Sequence, residues 1–434
     1  MSATVDGVVV FGRADERTLE QIKRCAVING ERVPAVLCAD NHLGYSMPIG
    51  GAVAYENYVS PSGVGYDIGC GNKAVATSLL YGDVHQDMPR LMDEIVRRIS
   101  FGVGLPNSEQ VDHPVLDRIS QQSPMPAIAK LLGKARSQLG TVGGGNHYVD
   151  LFREEKTDRL WVGVHFGSRG FGHKIASGFL ALAAGQEFDD HVAEGGMDAP
   201  PTLLHVDSPL GYLYIEAMAL AGEYAYAGRD VVCEKVLEIL GAQEMRSIHN
   251  HHNYAWRERH SGTDVWVVRK GCTPAFPGQE GFVGGSMGDV SVILRGRDTD
   301  ENREALYSTV HGAGRQMSRT QAAGKIRRRK RFQNNLDASF YETREAALAI
   351  PGATETTKRW VQEQKTEGLI DWPSVRADIA ARGIILRGAA ADEAPGAYKR
   401  LPEVLGHHAG AIDVLTTLHP VGVAMAGPRI ARDD

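Results

Sequence analysis

Cysteine is scarce: five residues, at 25, 38, 70, 233 and 272, none in a CxxC pair. That excludes a disulfide framework and the common zinc-ribbon spacings, and a reducing, cytoplasmic setting is the expectation. No run of about 18 apolar residues occurs, so no spanning helix and no membrane partner are expected. The opening MSATVDGVVVFGRADER lacks a basic segment followed by an apolar one, and no secretory signal is expected. A global excess of positive charge is missing too. The net charge is −6, which argues against the uniform basic field of many non-specific nucleic-acid binders. Long linkers, repeats and Pro/Ser-rich tracts are absent.

What is present is a core and an unusual amount of glycine. Of 434 residues, 43% are apolar and 23% charged, enough to bury a large interior, and 50 are glycine. The glycines cluster in short loops that also hold His, Cys, Asp and Ser, where the missing Cβ lets backbone approach a ligand. Periodicity predicts helices over 17–30, 86–100, 126–139, 173–185 and 212–241, with a further helix over 302–320 and one around 401–417. Short β-branched runs predict strands at VDLF before 155, at 160–166, 265–271 and 290–296, and at 383–388. Helices and strands mix without strict βαβ alternation, so the expected class is α+β (mixed α/β).

The chemistry concentrates in a few segments. PSGVGYDIGCGNK places Asp67 and Cys70 three apart in a glycine-rich turn. A carboxylate and a soft sulfur facing one cation suit a borderline ion such as Mn, Zn, Co or Ni rather than Ca. Alone, the motif also describes a small buried cysteine in a tight turn. TVGGGNHYVD carries Asn146 and His147, and WVGVHFGSRGFGHK carries His165 at a strand end, then Ser168 and Arg169. The latter misses the GxxxxGK[ST] register, which excludes a Walker loop. SIHNHHNYAWRERH holds His249, His251, His252 and His260; His249 and His260 also read as charged surface groups. GFVGGSMGDVSV offers Ser286 and backbone N–H groups to phosphate. STVHGAGRQMSR puts His311, a competent nucleophile toward phosphorus, ahead of Arg315 and Arg319, four apart on one face of the helix expected there. Asp67, Cys70, His147, His165 and His252 together could supply two metal sites bridged by Cys70.

In their order along the chain these motifs resemble the RtcB family of GTP-dependent RNA ligases. The matching stretches are NHLGYSMPIGG (41–51), VGYDIGCG (64–71), GGGNHYVDL (143–151), VHFGSRGFG (164–172), HHNYAWRE (251–258), VRKG (268–271), GSMGDVSVI (285–293), HGAGRQMSR (311–319) and DEAPGAYK (392–399). The resemblance implies a single domain over 1–434, with mixed β-sheets flanked by helices. It implies that Asp67, Cys70, His147, His165 and His252 ligate two Mn(II) ions and that His311 becomes guanylylated by GTP. Asn146, Ser286, Gly312, Ala313 and Gly314 would then surround the GMP, with Tyr398 near the guanine. The implied reaction joins RNA 3′-phosphate or 2′,3′-cyclic phosphate ends to 5′-hydroxyl ends, in tRNA splicing or RNA repair. Broken RNA and GTP would be the partners, with an archease-type activator as a further one. Arg315 and Arg319, or the run RRRKR (327–331), would track RNA backbone, though the basic run reads equally as a solvated face.

The end of the chain departs from the family. The family's terminal lysine gives way to Ala426 or Met425, so its function is absent or supplied elsewhere, Arg429 being one candidate; Gly284 replaces a proline, and Asp150 stands where an acid one methylene longer is usual. These departures touch guanine recognition more than the metal centre. Two other classes remain open on the residues: a dinuclear metal phosphoesterase, and an RNA-end-binding protein with a degenerate site.

Overall fold

The structure, a computed structural model, describes residues 2–190, 196–336 and 339–427. Two large sheets organise it. The first runs in the order Ser2–Val5, Val8–Phe11, Ala35–His42, Ile49–Tyr55, Thr263–Lys270, Asn253–His260. The second runs Glu244–His251, Gly71–Leu80, Arg159–Phe166, Tyr148–Glu154, Ile412–Met425, Ser291–Gly296, Glu280–Val283, with Ile385–Arg387 alongside Ile412–Met425. Most pairings are antiparallel, but Val8–Phe11 with Ala35–His42 and Ile385–Arg387 with Ile412–Met425 are parallel. Mixed sheets with helices packed on them make the class α+β, as expected from the sequence.

The central strands of both sheets are buried on both faces, which explains their short β-branched runs, while outer strands such as Asn253–His260 and Glu244–His251 are partly exposed. Along Ala35–His42, Leu37 packs into one apolar cluster, while Val36 and Cys38 pack into another. Asp40, farther along the same strand where its register shifts, is fully buried as well. Helix Pro209–Leu240 runs behind both sheets. Ser208 caps its start, Pro209 occupies the first turn, and Gly241 ends it in the left-handed region. Tyr214, Met218 and Tyr224 pack on the cluster under the first sheet; Val232, Cys233 and Val236 pack on the cluster under the second. Among the described residues no helix is long and apolar enough to cross a membrane.

The chain passes from the second sheet to the first at one residue. Strand Glu244–His251 belongs to the second, Asn253–His260 to the first, and His252 is the step between them.

Several sequence expectations need correction. The helix expected over 17–30 stops at Cys25, because Val27–Ile28 and Glu31–Arg32 form a tight hairpin around Asn29-Gly30, both at positive φ. Asn-Gly is the strongest short hairpin signal and overrides the helical period there. The helix over 302–320 is absent as such. Asp300–Glu304 is helical, Ser308–Val310 is a strand paired with Cys272–Pro274, and a helix resumes only at Arg319–Ala323. Around 401–417 the helix ends at Gly406 and the β-branched stretch from Ile412 becomes the strand Ile412–Met425. RRRKR lies in the strand Lys325–Asn334.

Candidate active site

The junction of the two sheets holds the candidate ligands. Cys70 immediately precedes strand Gly71–Leu80, and His147 immediately precedes Tyr148–Glu154. His165, near the end of Arg159–Phe166, pairs in register with Asn72 on one side and Tyr148 on the other. Three neighbouring strands therefore deliver three ligands to one end of the sheet. Cys70 Sγ lies 3.3 Å from His165 Nε2 and 3.7 Å from His147 Nε2. The ligand atoms of these three residues all fall within 4.8 Å of one another. Asp67 Oδ2 is 3.1 Å from His147 Nε2, and the His252 ring packs edge-on to His165 at 5.1 Å. A Cβ at position 167 would overlap the Asp67 carboxylate, so only glycine there lets it sit against the strand.

His311 joins this group. Its ring centroid is 4.8 Å from that of His252. Its Nδ1 lies 2.6 Å from Asp40 Oδ2, and its backbone N–H donates to the same oxygen at 2.9 Å. Burial works against the Asp40 charge, but the His311 ring, its N–H and nearby Lys399 outweigh that and hold the carboxyl below its ordinary range. A proton on His311 Nδ1 directed at Asp40 leaves Nε2 as the nitrogen with a lone pair. Gly314 closes the turn after His311 with φ +76°, and a Cβ there would overlap the Asp40 carbonyl oxygen. Gly314→Ala is expected to cost on the order of 1–3 kcal/mol in stability by chemical denaturation, because both the backbone conformation and the close approach are lost.

These groups line one cavity of about 830 Å³, together with Asn146, Ser286, Gly312, Ala313, Gly314 and Tyr398. The bridge between Gly284 and Gly312 holds the Ser286 loop against the segment after His311. All twelve candidate residues thus converge on one space. Of the four clustered histidines, only His252 lines it. His249 and His260 are not exposed surface groups: His249 accepts from the Arg229 guanidinium at 2.8 Å, and His260 pairs with Glu258 at 2.8 Å.

The residues suit a divalent cation of borderline softness. Burial, with neighbouring positive groups, holds His165 and His252 well below the ordinary histidine value, so both are neutral donors. His147 Nδ1 faces the Val142 carbonyl at 3.1 Å and the Arg169 guanidinium at 3.2 Å. With its proton given to the carbonyl, Nε2 is left to ligate. Burial pushes Asp67 up, but bonding to His147 and the Arg169 charge hold it down at about 2. Burial and the Asp67 carboxylate push the Cys70 thiol well above its usual value, so a cation is what this sulfur needs to release its proton. One sulfur, three imidazoles and a carboxylate are the donors expected for Mn, Co or Zn rather than Ca.

Asp40 and Lys399 beside this cavity were not singled out in the sequence. Asp40 is buried within the apolar strand AVLCADNH; a lone acid in such a run is its only signal. Lys399 lies in the cavity wall and donates to the carbonyls of Ala39 and Asn41 at 2.9 and 2.8 Å. Arg315 and Arg319 do not share a helix face. Arg315 donates to the Tyr398 hydroxyl at 2.9 Å and to Glu393 at 3.2 Å, stacking over the Tyr398 ring; Arg319 pairs with Glu393 at 2.9 Å. Both are occupied in fixing Tyr398 and its turn. At the other wall, strand Ile412–Met425 pairs with Tyr148–Glu154, so Met425 stands opposite Tyr148 and lines the cavity. Asp150 is buried there with one oxygen unpartnered, and burial pushes its carboxyl well up. Arg429 lies outside the described residues.

A family model described as tRNA-splicing ligase RtcB matches residues 21–379. The chain is 28% identical over 491 aligned positions to the tRNA-splicing ligase RtcB of Thermococcus kodakarensis, covering 96% of this chain and 93% of that one. It is 29% identical to the tRNA-splicing ligase RtcB of Archaeoglobus fulgidus, over 94% of this chain and 91% of the other. The RNA-splicing ligase RtcB of Escherichia coli K12 is 30% identical over 70% of this chain and 80% of its own length.

Proposed function

This chain belongs to the RtcB family and is an RNA ligase, and on that premise we propose that it seals RNA 3′-phosphate ends to 5′-hydroxyl ends through a covalent His311–GMP adduct, using GTP and two Mn(II) ions. The observation that carries the reading is the placement of His311. Asp40 holds its Nδ1 at 2.6 Å while its ring lies 4.8 Å from His252 of the Cys/His cluster. Residues 1–434 act as one ligase domain in this reading, because ligands from 67 to 252 and the nucleophile at 311 meet in one cavity.

Asp67, Cys70, His147, His165 and His252 would hold the ions, with Cys70 shared between them. When bound, Mn(II) supplies charge neutralisation for the triphosphate and polarises its phosphorus–oxygen bonds. Nε2 of His311 attacks the α-phosphorus of GTP; a nitrogen–phosphorus bond forms, the α–β anhydride bond breaks, and pyrophosphate leaves with its electron pair. Asp40 stabilises the Nδ1 proton as the ring becomes positive. Asn146, Ser286 and the backbone of Gly312, Ala313 and Gly314 hold the GMP, with Tyr398 beside the base. A 3′-phosphate oxygen of the RNA then displaces His311, taking the GMP. The 5′-hydroxyl of the other end attacks that 3′-phosphorus, and GMP departs. A 2′,3′-cyclic phosphate is first opened by water. The same chemistry serves tRNA splicing and RNA repair, and an archease-type protein is a candidate activator.

Arg229 supports this centre from behind. Its side chain is fully buried and donates to the carbonyls of Gly69 and Phe166 at 2.9 and 2.6 Å, and to His251 Nδ1 at 3.0 Å. Those groups adjoin Cys70, His165 and His252, so one guanidinium ties three ligand-bearing segments together. Arg229→Met is expected to lower Mn(II) affinity about 10- to 100-fold by calorimetry, as other supports of metal ligands do.

The test of function is ligation itself. RNA fragments ending in 3′-phosphate and 5′-hydroxyl should be joined only with GTP and Mn(II), releasing pyrophosphate and GMP. Phosphate release without joined product would favour the phosphoesterase reading, and RNA binding without either product would favour a degenerate site.

A further inference from the structure

A two-stranded ribbon grows from the wall of the cavity. Strand Lys325–Asn334 pairs antiparallel with Thr356–Thr366, and neither strand joins either large sheet. Among the described residues the short helix Arg344–Leu348 is the main element packed on it. Its root is fixed. Helix Arg319–Ala323, whose Gln321 lines the cavity, leads directly into the first strand. The returning chain bonds back to the same helix, Leu369 N–H to the Gln321 carbonyl at 2.8 Å and Ile370 N–H to that of Ala322 at 3.1 Å. From that root, a strand the length of Lys325–Asn334 reaches roughly 30 Å.

The ribbon is charged unlike the rest of the protein. Its two strands hold nine Lys and Arg against one Glu, in a chain of net charge −6. Arg329, Lys330, Lys358 and Arg359 are exposed. The register sets Arg331 directly opposite Arg359, and like charges facing each other across an antiparallel pair are destabilising. Arg331 finds Glu342 at 3.2 Å; Arg359 faces solvent. Charged residues on a sheet edge do discourage edge-to-edge pairing, but a few of either sign suffice for that. A ribbon whose strands carry nine cations against one acid, with several of those cations exposed, fits a polyanion lying along it.

We propose that this ribbon is an RNA-binding arm that lies along the phosphodiester backbone leading into the cavity and holds a broken end at the site. The inference rests on the ligase reading above and names how the substrate is held. Lysine and arginine contacts to phosphate carry no sequence information, so the arm's contribution is sequence-independent and salt-sensitive.

The test compares wild type with R329Q/K330Q/K358Q/R359Q and with the charge-reversed R329E/K330E/K358E/R359E. The probes are a hairpin RNA with a 3′-phosphate end and a short 3′-phosphate oligonucleotide that does not reach past the cavity. Affinity is read by fluorescence anisotropy across salt concentrations, and GTP labelling of the protein is followed in parallel. The neutral variant should bind the hairpin at least about tenfold more weakly, with the log–log salt slope reduced by about three for four lost charges. The reversed variant should be weaker still. Short-oligonucleotide binding and GTP labelling should stay at the wild-type level. A folded neutral variant with wild-type affinity and slope would overturn the arm, as would an equal loss for the short oligonucleotide. If the reversed variant does not fold, the neutral one decides. Absence of GTP labelling in the wild type would count against the ligase reading alone, because RNA affinity is measured without ligation.

Discussion

Asp40→Asn is expected to slow transfer of GMP to the protein by on the order of 10²- to 10⁴-fold, with the fold intact. The range is that of an acid which fixes the tautomer and steadies the charge of a reacting imidazole. An asparagine fits the same space and can still accept at one oxygen, yet it brings no charge and its amide can turn a donor toward His311. Asp40 Oδ2 is the atom that meets both the ring Nδ1 and the backbone N–H of His311. The ring then loses its preference for presenting Nε2, and the positive charge that develops on attack goes unbalanced. Single-turnover labelling with GTP isolates this step from RNA joining. Binding of GTP should change far less than the rate, since Asp40 is buried behind the histidine. A labelling rate within a few-fold of wild type would remove Asp40 from the mechanism.

Cys70→Ala should have the largest effect on metal content. Cys70 Sγ is within 4 Å of both His147 Nε2 and His165 Nε2, and in the proposed two-ion centre it would be the shared ligand. Loss of a supporting residue around a metal costs about 10- to 100-fold in affinity, so loss of a shared ligand should exceed about 100-fold. Elemental analysis after dialysis should give two Mn(II) per wild-type chain and less than one in the variant. Ligation should fall below detection, while the melting temperature of the metal-free protein changes little. Retention of two ions would show that the sulfur is not a bridge. Co(II) gives an independent readout: a thiolate-to-metal absorption band in the wild type that vanishes in Cys70→Ala.

Much of the site was readable in sequence because its chemistry sits in short glycine-rich segments. Cys70, His147 and His311 each lie at a strand boundary with glycine within two residues, and such positions put a reactive side chain at a sheet end. The α+β class was readable as well, since short β-branched runs and amphipathic periods alternate irregularly. The fine structure was not. Around His311 the residues 302–320 carry a helical period, yet Gly314 at φ +76° and its packing on Asp40 belong to a tertiary contact across 271 residues, from 40 to 311. Residues 412–425 continue the apolar pattern of the helix before them and become a central strand only because Tyr148–Glu154 and Ser291–Gly296 await them. Asp40 and Arg229 were missed for the same reason. Asp40 follows the apolar AVLCA and Arg229 sits beside Asp230 in a long helix, and the meaning of each comes from partners brought together by the fold.

The most direct measurement is to map the covalent label. The protein is incubated with α-labelled GTP and Mn(II), digested under alkaline conditions, and the modified peptide identified by mass spectrometry. The account predicts one GMP per chain on the His311 ring, stable to alkali, labile to acid, and absent from His311→Ala. Label on a lysine or serine, or undiminished label in His311→Ala, would contradict it.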